Sequence, residues 1–432
     1  MAQLNDGRAR LKQDAENFNK IRQELQGDAL YNVLDADLNE FRNQRINIAI
    51  IGMKKHGKSS LTNALIGKNP QDQGAAEVRD FLTVEREPDP FRIPNNELMT
   101  IWDISGKREE DDKTYMDRIG SDRYNYDMYL IVLKEDFTKS AKSMISRIIE
   151  LKKKFMIVRT HIDVNELNAA NYGGNAQGAT EIVRTALLEQ IRAHFPENLN
   201  EIHLYLVNSY DRGGHDFVAL QRDLIRFAPA AKQEAMIYAI NAAGEELIQQ
   251  KYCRLRKRIP TVSRKAVLSS SIPIVDRVFF DSLEVIIAEE IMQYLDVFCI
   301  SKTQVHSFEL RHNMGGLEDL MKHQASGLTE EIREKSATAR IDPTVNRGNV
   351  ASQAAIGAGV IACASRSLPP AIRVASGFLA ILVAAVSSNF VSSPKLEQIL
   401  TESLDQCKLL ALEKEKEYQR AKRGANHNYV DV

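Results

Sequence analysis

An excess of either charge is missing from this chain. Across 432 residues, 57 Lys and Arg stand against 58 Asp and Glu, a formal net charge of −1. No electrostatic argument favours a nucleic acid, and none is expected as a partner. Cysteine is scarce: Cys253, Cys299, Cys363 and Cys407 lie far apart among apolar neighbours, with no C-x-x-C pair. That scatter argues against a disulfide framework or a thiolate metal centre, and for buried thiols in a reducing compartment. The opening residues Met1-Ala2-Gln3-Leu4-Asn5-Asp6 lack the apolar core of a secretory leader, and Ala2 stands where myristoylation needs glycine. A cytoplasmic chain, made and kept on the cytosolic side, is expected.

Apolar and charged residues are present in globular proportion, 44% and 27%. The length exceeds one ordinary core, so two domains are expected. The chain is organised around Gly52-Met53-Lys54-Lys55-His56-Gly57-Lys58-Ser59-Ser60, a G-x-x-x-x-G-K-S phosphate loop directly after the apolar run Ile46-Asn47-Ile48-Ala49-Ile50-Ile51. A buried strand feeding a helix at about Lys58 aims backbone N–H groups and a helix N-terminus at one spot, which suits phosphate. Gly52 and Gly57 let the backbone wrap closely, Lys58 can neutralise β- and γ-phosphates, and the Ser59 hydroxyl is placed to ligate Mg²⁺. Leu61, Leu65 and Ile66 continue as the apolar face of the helix.

From 46 to about 228, short apolar runs at 46–51, 98–104, 126–133, 154–159 and 202–207 alternate with helical segments, the signature of an α/β domain with a mostly parallel sheet. Ligands bind at the C-terminal ends of such strands. After the second run comes Trp102-Asp103-Ile104-Ser105-Gly106: Asp103 is placed to hold Mg²⁺ through its water shell, and the Gly106 N–H to sense a γ-phosphate. The fourth run ends Thr160-His161-Ile162-Asp163, which fits a [NT]-K-x-D element except at the Lys. A carboxylate there can accept two hydrogen bonds from guanine that adenine cannot offer, which makes Asp163 the base selector. A solvated turn Asp is the plainer alternative. Asn208-Ser209, past the fifth run, would offer backbone groups to the base. Thr83 is the candidate Mg²⁺-binding threonine of the loop 74–87.

Together these residues resemble the immunity-related GTPases, the interferon-inducible class of dynamin-like large GTPases. The resemblance includes Gly74-Ala75-Ala76-Glu77-Val78, Val158-Arg159-Thr160, Asp216-Phe217 and Ser271-Ile272-Pro273-Ile274-Val275-Asp276, and it spans nearly the whole chain. It implies GTP and GDP as ligands with Mg²⁺ as cofactor, and catalysis completed across a dimer of G domains. It also implies work in cell-autonomous immunity or autophagy at intracellular membranes. Lys58, Thr83 and Gly106 would carry catalysis. Ser59, Thr83 and Asp103 would hold the metal. The sequence departs from the family at His161, where the family has Lys, and at Leu82, where it often has an acidic residue. Lys107 follows Gly106, and no glutamine is placed to orient water. Slow hydrolysis by a lone protomer is the expected result.

Outside the α/β region the chain reads as helix. Leu11, Phe18, Ile21 and Leu25 form one stripe, and Leu30, Leu34, Leu38 and Phe41 another; neither can bury itself alone. Met236, Ile237, Ile240, Leu247 and Ile248 fit one helix face, and Phe280, Leu283, Ile287, Ile291, Tyr294 and Phe298 fit a second. Leu396, Ile399, Leu400, Leu404 and Cys407 make a last helix, followed by a solvated tail from 413. Two charge-free segments, 348–365 and 374–393, flank Pro369-Pro370, so a helical hairpin is expected over 348–393. Its run 378–386 has nine contiguous apolar residues, short of the about 20 that a spanning helix needs. Two readings stay open: a hairpin buried in the helical domain, or one that docks on a membrane in one nucleotide state.

The expected architecture is a P-loop GTPase domain at 45–228 with a mostly parallel sheet, plus an all-α domain from 1–44 and 229–432. The expected function is a GTP-hydrolysing protein that self-associates through its G domain as a homodimer or oligomer. The alternative is a nucleotide-dependent, membrane-associated scaffold with negligible turnover.

Overall fold

The run 46–51 is apolar or β-branched at nearly every position, and a strand of that composition is stable where both faces are covered. The computed structural model of the protein describes residues 27–78, 87–93, 97–104, 112–172, 175–197, 202–271, 283–300 and 393–427. In it, Ile46, Ile48, Ala49, Ile50 and Ile51 are wholly buried in the sheet interior. Six strands form that sheet: β1 Ile46–Gly52, β2 Asp89–Arg92, β3 Met99–Asp103, β4 Met128–Leu133, β5 Lys154–Arg159 and β6 Leu204–Leu206. Their order is β2-β3-β1-β4-β5-β6. All neighbours run parallel except β2, which lies antiparallel on β3.

The helices are α1 Gly27–Asn39, α2 Lys58–Ile66, α3 Asp112–Ile119, α4 Lys139–Glu150, α5 Ile162–Asn171, α6 Ala176–His194, α7 Phe217–Phe227, α8 Gln233–Ala239, α9 Glu245–Ser271, α10 Leu283–Val297 and α11 Ser393–His427. Parallel neighbours need crossovers, and α4 is one between β4 and β5. Thr138 caps its start, the hydroxyl accepting from the Ala141 amide. Met144, Ile145 and Ile148 then fall on one face and bury against Tyr129, Ile131 and Phe155 of the sheet. At the opposite end of the strands, Asp127 accepts from the Asn47 amide at 2.9 Å and from Lys232 Nζ at 2.7 Å.

The chain divides into two compact units. One comprises Met1–Asn39, Arg254–Leu295 and Ile300–Leu410; the other comprises Glu40–Cys253, Asp296–Cys299 and Ala411–Val432. In the helical unit, Leu30, Leu34 and Leu38 of α1, Leu255, Ile259 and Val262 of α9, and Ile286, Ile287, Ile291 and Tyr294 of α10 are buried. Arg258 ties these helices together. Its guanidinium donates to both oxygens of Glu290 at 3.0 and 2.9 Å and to the Leu38 carbonyl at 2.8 Å. Among the described residues, no helix is long and apolar enough to cross a membrane.

Three local readings are corrected. Strand β2, Asp-Pro-Phe-Arg, was not expected; a short, mostly exposed edge strand containing proline has no apolar pattern to show, and only its backbone pairing reveals it. The stripe from Met236 to Ile248 belongs to two helices. The chain breaks at Asn241–Gly244, where Gln221 donates to the Asn241 carbonyl and accepts from the Ala243 amide, both at 2.8 Å. The expected tail from 413 is instead the continuation of α11, anchored by Lys414 Nζ on the Cys299 carbonyl at 2.7 Å. The first N-terminal stripe, the Pro273 helix break and the hairpin readings at 348–392 lie outside the described residues.

Candidate functional site

The site grows from the end of β1. Gly52 has φ 148°, and a Cβ there would fall 2.4 Å from the Val132 carbonyl oxygen of β4, so the strand can end this close to its neighbour only with glycine. Tyr115 of α3 fixes that end from the side. Its hydroxyl accepts from the Gly52 amide at 2.9 Å and lies 3.3 Å from the Gly52 carbonyl oxygen. Lys55 and Gly57 follow with φ of 64° and 82°. Left-handed residues so close together curl the backbone into a nest of N–H groups in front of α2. A non-glycine residue held at positive φ carries strain that functional loops commonly retain.

Inside the loop, Lys58 is only 7% exposed and donates to the Met53 carbonyl at 3.0 Å. Burial lowers its pKa to about 8, although the nearby Asp103 carboxylate pulls it back up; Lys54 adds to the lowering. Asp103 ends β3, brought beside β1 by the parallel register that sets Ile50 against Asp103. The Ser59 hydroxyl donates to Asp103 Oδ2 at 2.7 Å. Burial raises the Asp103 pKa, against the opposing pull of Lys58 and of the Ser59 hydrogen bond. Asp103 Oδ1 is buried with no hydrogen-bond partner among the described residues. An orphaned carboxylate oxygen beside a serine hydroxyl is a hard-oxygen pair of the kind Mg²⁺ takes, the remainder of its shell coming from water and phosphate. The residues present fit that ion. Among the described residues no group of three or more His, Cys, Asp or Glu could form a protein-only metal cage.

The segment Thr160-His161-Ile162-Asp163 is fastened to the phosphate loop. Thr160, 1% exposed, donates its hydroxyl hydrogen to the His56 carbonyl at 2.6 Å, and His161 Nδ1 lies 2.9 Å from the same hydroxyl oxygen. A Cβ on Gly57 would meet His161 Cε1 at 3.0 Å and Thr160 Oγ1 at 3.1 Å. Gly57 is therefore needed for the approach of this segment as well as for the turn. His161 caps α5 in the left-handed conformation, φ 56°. Burial lowers its pKa, Lys134 adds to this, and Asp163 opposes it. His56 is likewise lowered by burial, with Nδ1 3.2 Å from the Val132 carbonyl oxygen. Asp163 stands exposed in the first turn of α5.

After β6, the Asn208 side chain accepts from the Tyr210 amide at 2.9 Å, closing the turn. Ser209 Oγ is buried with no hydrogen-bond partner among the described residues. Tyr210 reaches toward α2, its hydroxyl 3.4 Å from that of Ser60. Gly52 to Ser60, Asp103, Thr160 and His161 thus form one hydrogen-bonded neighbourhood at the C-terminal edge of the sheet, and the turn at Asn208 joins it through Tyr210. Thr83, Gly106, Leu82 and Lys107 lie outside the described residues.

Some supporting residues were not singled out from sequence. Asn63 of α2 exchanges two amide hydrogen bonds with Ala76, at 2.8 and 2.6 Å, pinning the segment before the switch loop. Tyr115 holds Gly52, and Tyr418 of α11 holds the loop after Asn208, accepting from the Arg212 amide at 3.0 Å and donating to the Tyr210 carbonyl at 3.1 Å. No local motif marks these residues, because each acts on backbone far away in the chain.

Comparison with known proteins places these features in context. The family model described as interferon-inducible GTPase (IIGP) matches residues 14–368. The chain is 25% identical over 305 residues to interferon-inducible GTPase 1 of Mus musculus, covering 70% of this chain and 73% of that one. It is 26% identical over 282 residues to interferon-gamma-inducible GTPase 10 of the same organism, covering 63% and 65%. Among solved structures, Toc33 from Arabidopsis thaliana is similar at 19% identity and a TM-score of 0.31, covering 43% of this chain and 79% of that one. The family model covers the phosphate loop, the Asp103 strand and the segment 160–163 alike, and this P-loop GTPase belongs to the interferon-inducible GTPase family.

Proposed function

We propose that this GTPase binds GTP with Mg²⁺ at the C-terminal edge of its sheet, hydrolyses it slowly as a single protomer, and does so faster when G domains associate. The observation that supports the reading best is the cluster of buried Lys58, the Ser59–Asp103 hydrogen bond and the orphaned Asp103 oxygen. Lys58 and the loop amides would bind and orient the β- and γ-phosphates. Ser59, Asp103 and, by its sequence position, Thr83 would hold Mg²⁺, which supplies neutralisation of phosphate charge. The Gly106 amide would sense the γ-phosphate. Asp163 would accept from guanine, with Thr160 and His161 positioning that segment on the loop and Asn208 and Ser209 closing over the base. The relatives named for interferon induction support a role in cell-autonomous immunity; action at an intracellular membrane is the further expectation, if the charge-free hairpin expected at 348–393 docks on lipid rather than packing within the helical domain.

One observation favours a second reading, a nucleotide-dependent scaffold with negligible turnover. The base-reading element carries His161 in place of the family's lysine, and its ring is engaged with Thr160. Measuring GTP turnover per protomer against protein concentration, with Lys58→Ala as the blank, separates the two. A rate that climbs with concentration and vanishes in the variant is expected. A rate at the level of the blank, with GTP still bound, would leave the scaffold.

A further inference from the structure

Away from the phosphate loop, the unit that contains the sheet has a partly open cavity of about 40 Å³ lined by Arg212, Lys251, Phe298, Lys414, Glu415 and Tyr418, among others. At about 10–15 Å³ per water centre, it has room for about three waters. Its charge is unbalanced: three cations face a single carboxylate. A buried charge normally finds a counter-charge, since desolvation is costly. Here only Lys251 is fully buried, Arg212 and Lys414 are half-buried, and the single carboxylate Glu415 acts on Lys414; none of the three cations forms a salt bridge among the described residues. Lys251 is 1% exposed and donates to the carbonyls of Ile240 and Val297. Lys414 donates to the Cys299 carbonyl, and the Arg212 guanidinium lies over the Tyr418 ring at 4.4 Å. Glu415 accepts from Gln419 at 2.9 Å.

The donor inventory points the same way. An ammonium has three N–H bonds and a guanidinium five. Two are used on Lys251 and one on Lys414, and the Arg212 guanidinium makes no described hydrogen bond, so donors remain at the cavity from all three side chains. We propose that this cavity is a binding site for one phosphate-class oxyanion, held by Arg212, Lys251 and Lys414. Burial lowers the Lys251 pKa to about 8, with Cys299 opposing the shift and Lys414 adding to it, and a bound anion would favour its charged form. Occupancy would also fasten α11 to the loop after Asn208, because Arg212 and Lys414 contribute from those two segments and Tyr418 already bridges them.

The test is calorimetric titration of inorganic phosphate into the full chain loaded with GDP, so that the phosphate loop is filled, at constant ionic strength set with chloride. The Lys58→Ala chain without nucleotide is titrated in parallel, which keeps the result readable if the nucleotide reading itself fails. Glycerol 3-phosphate forms a second arm, and binding there at equal strength would identify a phosphate ester as an alternative source of the same group. Saturable binding of one phosphate per chain is expected, weakened at least tenfold in both Arg212→Gln and Lys414→Gln. No saturable binding in either loaded or Lys58→Ala chain, or binding that survives in either cavity variant, would overturn the proposal.

Discussion

At the scale of single residues, Lys58 gives the site a pH dependence whose sign follows from its burial. Its pKa falls from 10.5 in the unfolded chain to about 8 in the folded one. Between those values the unfolded chain holds more protons than the folded protein, so this group's contribution to stability rises with pH across the window. A triphosphate needs the ammonium form. GTP binding near pH 8.5–9 is therefore expected to take up a fraction of a proton. Calorimetry in two buffers of different ionisation enthalpy checks this, and equal binding enthalpies in both would mean that Lys58 keeps its proton throughout. Asp163 carries a second prediction. Hydrogen bonds to a charged group contribute about 1.5–3 kcal/mol, so Asp163→Asn should lower affinity for GTP relative to XTP by about 10- to 100-fold. An unchanged ratio would remove Asp163 from base recognition. Much at this scale was legible in the sequence, because G-K-S and a strand-end Asp are local patterns. Tyr115 and Asn63 were not, since a hydroxyl aimed at Gly52 and an amide aimed at Ala76 depend on elements that fold together only in three dimensions.

Among elements, the helical unit has one connection that should dominate its response to mutation. Arg258 and Glu290 are 9% and 5% exposed at their side chains, and the same guanidinium holds the last turn of α1 through Leu38. Removing one partner of a buried pair leaves the other desolvated and unpaired, at a cost of about 3–5 kcal/mol. Glu290→Ala is thus expected to lower the unfolding free energy of the helical unit by an amount in that range, measured by denaturant titration followed by helical circular dichroism. A loss under about 1 kcal/mol would show that the pair contributes little beyond its desolvation cost. Of the sheet, β1, β3, β4, β5 and β6 were legible from their apolar runs to within a few residues. β2 was not, because an exposed edge strand is held by backbone pairing that side-chain pattern does not report.

For the molecule as a whole, the proposed membrane role has its own prediction. The charge-free region 348–393 motivates liposome sedimentation of the full chain with GDP and with a non-hydrolysable GTP analogue. Binding in one state alone is expected, and equal absence in both would remove the membrane role. The sequence by itself determined the phosphate loop, the strand that presents it, the order of the site elements and the helical character of the described residues outside the α/β region. These follow from local rules: glycine where backbone must curl, apolar runs where strands are buried, a 3.6-residue period where helices lie on a core. Only the tertiary structure decided where the helix stripe breaks at Asn241–Gly244, that α11 continues through Tyr418, and that three cations converge on one cavity. Those outcomes rest on side chains meeting backbone or one another across tens to hundreds of residues, and no local pattern encodes such meetings.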